Sequence, residues 1–289
     1  MRLALVANDA SGSGDARRVA ALLRERGATV TVHDFRPGQD DAVAAAARAA
    51  AAAAPDRLVA AGGDGSLGPV AAAAAAADLP LAVVPTGTAN DFARALDLPA
   101  DLEAACALAA RAETRERAVD LLRAGDRPFL NAASAGLSVI AAREARPLKR
   151  PLGALAYAVG ALRAGLAARP LACRATVDGA ELFAGNAWQV IVAGTGAFGG
   201  GSELDAARPD DRLVDVAVLA AGPRLALVRR AWGMRAGGLA EQPGVRHGRG
   251  REVALELPAD APLNVDGELC RVAPARFTSR GERVRVVCP

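Results

Sequence analysis

Residues 58–66 read LVAAGGDGS, and this stretch sets the architecture of the first part of the chain. The apolar run, the glycine loop and the alanine-rich stretch from Leu67 to Ala77 predict a strand, a phosphate-binding turn and a helix. Glycine lets backbone N–H groups approach an anion, and a helix N-terminus adds partial positive charge. A carboxylate at Asp64 would repel phosphate unless a cation lay between them, which favours a Mg²⁺–nucleotide site. A structural tight turn is the alternative.

A second loop of the same kind follows the next strand. Residues 81–94 read LAVVPTGTANDFAR, an apolar run followed by small, hydroxyl and amide residues at the start of another helix. In open α/β sheets, ligands bind at the carboxyl ends of the strands. Asn90 or Asp91 acting only as a helix N-cap is the alternative. Capping does not explain why two such loops follow successive strands.

The two loops together resemble the catalytic domain of the diacylglycerol kinase-like lipid kinases, the superfamily that also includes sphingosine kinases. GGDGS and PTGTANDFAR stand at the spacing of that family, and the resemblance covers nearly the whole chain. It implies ATP as phosphoryl donor, Mg²⁺ as cofactor and a lipid alcohol as acceptor. It also implies that ATP is bound by Asn8, Ser11, Gly12, His33, Gly62, Gly63, Asp64, Gly65, Ser66, Gly87, Thr88 and Asn90.

Two further carboxylates belong to the same implied site. The resemblance places Asp91 and Asp120 with Asp64 in a supporting acidic network around Mg²⁺. For Asp120, a strand-end cap is the alternative interpretation.

The most distinctive motif late in the chain is Asp266-Gly267-Glu268. Taken alone, Asp-Gly predicts a tight hairpin turn. The resemblance places the catalytic acidic residue in this motif, and phosphorylation of an alcohol needs a carboxylate to accept or orient the hydroxyl proton. A rigid turn and a base are compatible. We therefore expect Asp266 to be the base, Glu268 to be its neighbour in the site and Asp64 to complete the catalytic set.

Residues 209–216, PDDRLVDV, resemble a stretch that holds a structural Mg²⁺ in bacterial members of the family. Carried over, Asp211 would supply a carboxylate and Leu213 a main-chain carbonyl, and hard oxygen ligands suit this ion. Arg212 stands where the family usually has glycine, and it would disturb the turn and repel a cation. A solvated turn without metal is the alternative.

Composition excludes several classes of protein. A formal net charge of +3 does not suggest nucleic-acid binding, and a chain whose single lysine is Lys149 has no Walker A motif. Two histidines and four cysteines without CxxC spacing argue against a zinc site, a disulfide framework or a Ser-His-Asp triad. No apolar run approaches the ~20 residues of a membrane span. The N-terminus resembles a strand rather than a signal sequence, so we expect a cytoplasmic enzyme that contacts membranes peripherally and reversibly. The sequence does not decide between a monomer and a homodimer.

The pattern of elements changes near residue 115. Before it, strands alternate with helices, which predicts a doubly wound parallel sheet; after it, strands dominate, which predicts an antiparallel β-rich region. We expect a nucleotide-binding α/β domain over 1–115, completed by 275–289, and a lipid-substrate domain over 116–274. Helical segments are predicted near 150–167 and 223–239. The second is basic and partly amphipathic, so it either lies on anionic lipid or is a connector with a solvated arginine face.

The sequence thus predicts an ATP-dependent lipid kinase acting on a lipid alcohol such as diacylglycerol or a sphingoid base. NAD kinase, which shares the GGDG loop and a related fold, is one alternative. A catalytically weak nucleotide- or lipid-binding protein is another. It is suggested by Arg212 and by Gly68-Pro69, where the family often carries Asn-Glu.

Overall fold

The structure is a computed structural model that describes residues 1–8, 15–36, 41–140, 169–199, 201–270 and 275–289. The predicted helix near 150–167 and the predicted ATP-binding residues Ser11 and Gly12 lie outside the described residues. The chain divides into two compact units. The first comprises Met1–Leu121, Arg127–Leu130 and Gly281–Pro289, and the second comprises Leu122–Asp126 and Asn131–Arg280.

Strands and helices alternate in the first part of the chain. In order they are β1 (Arg2–Asn8), α1 (Asp15–Glu25), β2 (Thr29–Phe35), α2 (Ala42–Ala52), β3 (Arg57–Gly62), α3 (Asp64–Ala76), β4 (Leu81–Pro85), α4 (Asp91–Ala95), α5 (Leu102–Ala110), β5 (Arg115–Ala124) and β6 (Arg127–Phe129). The later elements are β7 (Ala132–Gly136), β8 (Leu171–Val177), β9 (Ala180–Ala193), β10 (Ala197–Phe198), β11 (Ser202–Glu203), β12 (Val214–Ala220), α6 (Leu225–Ala236), β13 (Val245–Gly250), β14 (Glu252–Glu256), β15 (Leu263–Val265), β16 (Glu268–Cys270) and β17 (Ala275–Cys288).

The first unit is a doubly wound parallel sheet, as the alternating pattern predicts. β1 pairs in parallel with β2 and β3, β3 pairs in parallel with β4, and Val286 near the end of β17 pairs in parallel with Leu81 of β4. Successive side chains of a strand point to opposite faces. Accordingly Leu5 packs in the cluster that includes residues of α1 and α5, whereas Val6 packs in the cluster that includes residues of α2, α3 and α4.

The second unit is antiparallel. β9 is its longest strand and pairs with β7, β8 and β12, while β8 continues to β14 and β7 to the hairpin of β15 and β16. Trp188, Ile191 and Leu219 belong to a buried cluster on these strands, and Leu227 of α6 packs against it. The predicted fold class, a parallel α/β region followed by an antiparallel β-rich region, is confirmed.

Several element boundaries differ from the sequence expectation. α3 begins at Asp64 instead of Leu67, so the acidic residue of the glycine loop lies in the first helical turn. The largely apolar stretch from Phe129 to Ala132, which alone favours one strand, is divided, because β6 ends at Phe129 and β7 begins at Ala132. β13 was not predicted at all.

The four cysteines are free thiols. Cys106 and Cys173 are buried, and burial raises the pKa of the Cys173 thiol to about 11. A thiol with so high a pKa is a poor nucleophile near neutral pH. Cys106 and Cys173 therefore act as small apolar residues of the core. Among the residues described, no helix combines the length and the hydropathy that crossing a membrane would require.

Candidate active site

The carboxyl ends of the parallel strands meet at one edge of the first unit. Asn8 ends β1 beside Phe35 of β2, and Gly62 ends β3 beside Pro85 of β4. Both glycine loops begin at this edge, which is where open α/β sheets bind their ligands.

Asp64 ties the two loops together. Its Oδ2 accepts a hydrogen bond from the Asp91 backbone N–H at 3.1 Å, and its Oδ1 accepts one from the Phe92 N–H at 3.0 Å. These amides lie in the first turn of α4, where N–H groups have no partner within the helix. Asp64 therefore caps α4 from the neighbouring loop, a role that sequence reasoning missed because the two residues stand 27 positions apart.

Asn90 closes the second loop upon itself. Its Oδ1 accepts from the Gly87 N–H at 3.0 Å, and its Nδ2 donates to the Gly87 carbonyl at 2.9 Å. The residue lies in the left-handed region with φ 50°, which asparagine tolerates better than most residues. Its side chain makes no capping bond to α4. The Asn90 side chain therefore does not act as the simple N-cap that the alternative interpretation predicts.

The two loops pack backbone against backbone. A Cβ at Gly87 would lie 2.5 Å from the Gly63 Cα, and a Cβ at Gly63 would lie 3.3 Å from the Gly87 Cα. Ser66 donates from Oγ to the Gly63 carbonyl at 2.8 Å, and Thr86 donates its N–H to the Gly62 carbonyl at 3.1 Å. Gly62 and Gly63 of the first loop thus lie directly against Thr86 and Gly87 of the second and form one ridge of backbone.

Packing explains why position 68 is glycine, where the family often carries asparagine. A Cβ there would lie 2.3 Å from the Pro128 carbonyl oxygen of β6. No asparagine side chain could occupy this position of α3 without moving β6. The departure that suggested a weakened protein therefore reflects close contact between a helix and a strand.

The two supporting carboxylates are buried and paired with arginines. Asp91 forms an ion pair with Arg94, three residues further along the chain. Asp120 lies 3.0 Å from the Nε of Arg283, which stands on β17. Among the described residues, no three His, Cys, Asp or Glu side chains form a cluster able to hold a metal. Neither arginine partner was expected from the sequence.

A groove of about 630 Å³ lies between β2 and α2 in the first unit. His33, Phe35 and Arg36 line it on one side, and Ala42 and Ala46 on the other. The His33 Nε2 is buried and forms no hydrogen bond with the residues that the structure describes. His33, a predicted ATP-binding residue, therefore lines an open groove.

Asp266 occupies a hairpin turn in the second unit. Asp266 and Gly267 both have positive φ, 47° and 89°, and the flanking residues of β15 and β16 pair directly, as expected for a two-residue turn. The Asp266 Oδ1 accepts the N–H groups of Asn131 and Ala132, each at 3.0 Å. Its own N–H donates to the Ala132 carbonyl at 2.9 Å. The carboxylate thereby fixes the hairpin to the start of β7.

Glu268, two residues further on, is exposed at the start of β16. Beside the hairpin, Thr195 donates from Oγ1 to the Asn131 Oδ1 at 2.8 Å. Sequence reasoning did not single out Thr195, because nothing in its local sequence marks it. The hairpin therefore presents one buried carboxylate that holds structure and one exposed carboxylate.

The residues around Asp211 do not fit the predicted magnesium site. The Asp211 Oδ1 accepts the Leu213 N–H at 3.0 Å, and its Oδ2 forms an ion pair with Arg249 of β13. Arg249 also lies 3.6 Å from the buried Asp215 Oδ2, and the other oxygen of Asp215 lies 2.7 Å from the His247 Nε2. A guanidinium occupies the place next to the carboxylate, where it would repel a divalent cation.

The chain belongs to the diacylglycerol kinase catalytic domain family. The family described as diacylglycerol kinase catalytic domain matches residues 2–124, and the one described as YegS C-terminal NAD kinase beta sandwich-like domain matches residues 131–288. These two matches follow the change from a parallel to an antiparallel sheet.

Curated relatives agree with this family. The chain is 36% identical to a probable lipid kinase YegS-like protein of Pseudomonas fluorescens, over 78% of this chain and 75% of the relative. It is 30% identical to a diacylglycerol kinase of Bacillus subtilis, over 72% of this chain and 66% of the relative. Enzymes with these names are phosphotransferases with an alcohol as acceptor.

Solved structures share the fold. A diacylglycerol kinase from Bacillus anthracis str. Sterne superposes with a TM-score of 0.74 over 100% of this chain and 96% of its own, at 19% identity. A putative diacylglycerol kinase from the same organism gives 0.75 over 100% and 97%, at 20% identity.

Proposed function

We propose that the protein is an ATP-dependent lipid kinase that transfers the γ-phosphoryl group of ATP to the hydroxyl of a lipid alcohol, such as diacylglycerol or a sphingoid base. The observation that carries this proposal is the pair of glycine loops at the carboxyl edge of the parallel sheet, locked to each other by Asp64. Family membership supports a lipid as acceptor.

The nucleotide is proposed to bind along this edge. Backbone N–H groups of residues 62–66 at the start of α3 suit the phosphates, because glycine permits close approach and the helix N-terminus favours an anion. Gly87, Thr88 and Asn90 border the same ridge of backbone. The groove beside His33 suits a nucleoside, because it is lined by the His33 and Phe35 rings and by small alanines.

Mg²⁺ is proposed to enter with the nucleotide. This ion is usually held by one or two carboxylates together with substrate phosphates and water, and it neutralises charge on the phosphates. Of the carboxylates in the two loops, Asp64 would meet the ion with the second lone pair of each oxygen, beside the two backbone N–H groups that it accepts. Asp91 would have to exchange its ion pair with Arg94 for the ion. We do not extend this role to Asp211 and Leu213, since Arg249 pairs with that carboxylate.

The contacts of the hairpin favour Glu268 over Asp266 as the base. In the reaction, the acceptor oxygen bonds to the γ-phosphorus, the bond from phosphorus to the bridging oxygen breaks to leave ADP, and the hydroxyl proton passes to a carboxylate. Asp266 Oδ1 is already engaged by two backbone N–H groups. Glu268 is exposed, so we propose that Glu268 accepts the proton and that Asp266 positions the turn.

The test is turnover of labelled ATP with diacylglycerol, a sphingoid base or NAD, followed by mass spectrometry of the products. We expect a phosphorylated lipid and no phosphorylated NAD. Phosphorylation of NAD alone would assign the chain to the NAD kinases, and ATP binding without turnover of any acceptor would make it a binding protein.

Two variants separate the roles of the carboxylates. Glu268→Gln is expected to lower kcat by roughly two to four orders of magnitude, the range for a lost general base, with unchanged thermal unfolding. Asp266→Asn removes the charge that accepts two N–H groups and should lower the unfolding temperature as well as kcat. If Asp266→Asn loses kcat at full stability while Glu268→Gln stays active, Asp266 is the base after all.

A lipid substrate requires access to a membrane. We therefore propose that the protein contacts membranes peripherally and reversibly, through basic side chains that meet anionic headgroups. Such binding weakens with added salt.

A further inference from the structure

Helix α6 exposes apolar side chains and buries an arginine, the reverse of an ordinary surface helix. The exposed fractions are 82% for Leu225, 69% for Val228 and 73% for Trp232. Arg230 is only 4% exposed. At 100° per residue, positions 225, 228 and 232 share one side of the helix, and position 230 stands on the opposite side.

The buried contacts explain why the helix has this orientation. The Arg230 Nη1 donates to the Ala220 carbonyl at the end of β12 at 2.7 Å, and Nη2 lies 3.5 Å from the Gly244 carbonyl. Leu227 packs against the buried cluster of β9 and β12. Burial lowers the pKa of the Arg230 guanidinium. Arg230 and Leu227 hold one side of α6 to the unit, so the apolar stripe must face outward.

The segment is also strongly basic. Between Asp215 and Glu241 the sequence has four arginines and no acidic residue. Arg224 and Arg229, both exposed, stand next to the apolar stripe. Asp205 accepts from the Gly238 N–H beyond the end of the helix. The outward face therefore combines three exposed apolar side chains with the exposed Arg229, and Arg224 at its edge lies 5.6 Å from the Trp188 ring centroid.

We infer that this face of α6 docks on an anionic lipid bilayer. An interfacial helix buries its apolar side in the boundary between headgroups and acyl chains and meets anionic headgroups with its cations, and tryptophan suits that boundary. A second copy of the chain fits the surface less well, because two such faces would bring arginines together without a carboxylate to pair with them. The use of this surface in catalysis rests on the proposed lipid kinase function; the docking itself does not.

Tryptophan fluorescence is a direct probe of the docking. The chain has two tryptophans, and Trp188 is buried with its Nε1 bonded to the Gly222 carbonyl at 3.1 Å. Arg224 lies 5.6 Å from the Trp188 ring centroid, so a change caused by vesicles is assigned to Trp232 when Trp232→Phe abolishes it. We expect a blue shift and quenching by brominated acyl chains with phosphatidylglycerol vesicles. We expect neither with phosphatidylcholine vesicles, and reversal of both effects by salt.

Variants assign the binding to α6. Leu225→Ser combined with Val228→Ser should weaken binding to phosphatidylglycerol vesicles by roughly tenfold or more, because apolar area is no longer buried. Arg229→Gln should weaken it by roughly fivefold, the effect of one cation at an anionic surface. The matched control is Arg18→Gln, an exposed arginine of α1, which removes the same charge and should leave binding unchanged.

The outcomes distinguish this inference from the proposed function. Equal binding of the wild type and the double variant would overturn the docking surface, and so would a dimer whose Trp232 is shielded without lipid. If docking and function are both right, the double variant loses activity on vesicles but keeps it on lipid in detergent micelles. Vesicle binding that depends on α6 without turnover of any lipid would leave the surface standing and overturn the kinase proposal.

Discussion

At the scale of single residues, the glycines of the two loops are required for different reasons. Gly87 is required by packing within the protein, whereas Gly63 is required by the proposed ligand. A Cβ at Gly87 would meet the Gly63 backbone at 2.5 Å, closer than real Cβ contacts come. A Cβ at Gly63 would meet the Gly87 Cα at 3.3 Å, which a shift of a few tenths of an ångström relieves. Gly63 also has an ordinary extended backbone, with φ −95° and ψ 179°.

We therefore expect Gly87→Ala to lower both the stability and the activity. The loss of stability should be about 1–3 kcal/mol, as for other overpacked sites. Gly63→Ala should unfold within a few degrees of the wild type and yet lose most of its ATP affinity, because its backbone would approach the phosphates. For each variant, thermal unfolding measures the stability and calorimetry measures the ATP affinity. Full ATP affinity in a folded Gly63→Ala protein would remove this loop from the phosphate site.

At the scale of elements, α4 depends on a residue outside itself. It has five residues, its N-cap side chain does not cap it, and Asp64 supplies both bonds to its first turn. The sequence suggested that Asp64 serves only the metal. The structure adds a second role, because loss of this carboxylate would release the start of the second loop.

Asp64→Ala should thus abolish turnover and also destabilise the protein by about 0.5–2 kcal/mol, the range for a lost helix cap. Asp64→Asn keeps one acceptor oxygen and should recover part of the stability without the activity. Chemical denaturation of both variants beside the wild type tests this. An Asp64→Ala protein as stable as the wild type would show that the two bonds contribute nothing to folding.

Strands with a regular apolar pattern were predictable, and those defined by their neighbours were not. β1, β3 and β4 follow directly from their buried apolar runs. β13 reads VRHGRG, which has little strand propensity. Contacts in the fold require glycine at position 250, where a Cβ would lie 2.5 Å from the Asp178 Oδ2 and 2.6 Å from the Val177 Cγ1. A Cβ at Gly248 would lie 3.2 Å from Leu182, a tight contact that a small shift relieves. Tertiary contact overrides propensity here.

At the scale of the whole chain, the missed site residues are partners at long sequence separation. The loops, the carboxylates and the hairpin were recognisable, because each motif is local. Arg283, which pairs with Asp120, and Arg249, which pairs with Asp211, were not. In a chain with 35 lysines and arginines, no local signal distinguishes these two arginines from the others. Only the fold shows which carboxylate each one meets.

Arg249 also bears on whether folding of the whole chain needs a metal. The Asp211 carboxylate accepts the Leu213 N–H and forms an ion pair with the Arg249 guanidinium. Asp215 of β12 and Arg249 of β13 are directly opposite each other in the sheet. The Arg249 guanidinium therefore lies beside the carboxylate to which the resemblance assigned Mg²⁺. We expect the unfolding temperature of the protein without nucleotide to be the same in EDTA and in millimolar Mg²⁺.

The Arg249→Gln variant tests whether Arg249 stabilises the Asp211 turn in the way that a bound cation would. Loss of the guanidinium leaves the buried Asp215 with His247 alone, so the protein should lose about 1–2 kcal/mol of stability, between the values for exposed and buried pairs. Added Mg²⁺ should restore part of that loss, since the freed carboxylates are hard ligands for it. Arg246→Gln, on the same strand but with no ion pair among the described residues, is the matched control and should respond to neither EDTA nor Mg²⁺. A wild-type protein that unfolds earlier in EDTA would restore the predicted magnesium site at Asp211.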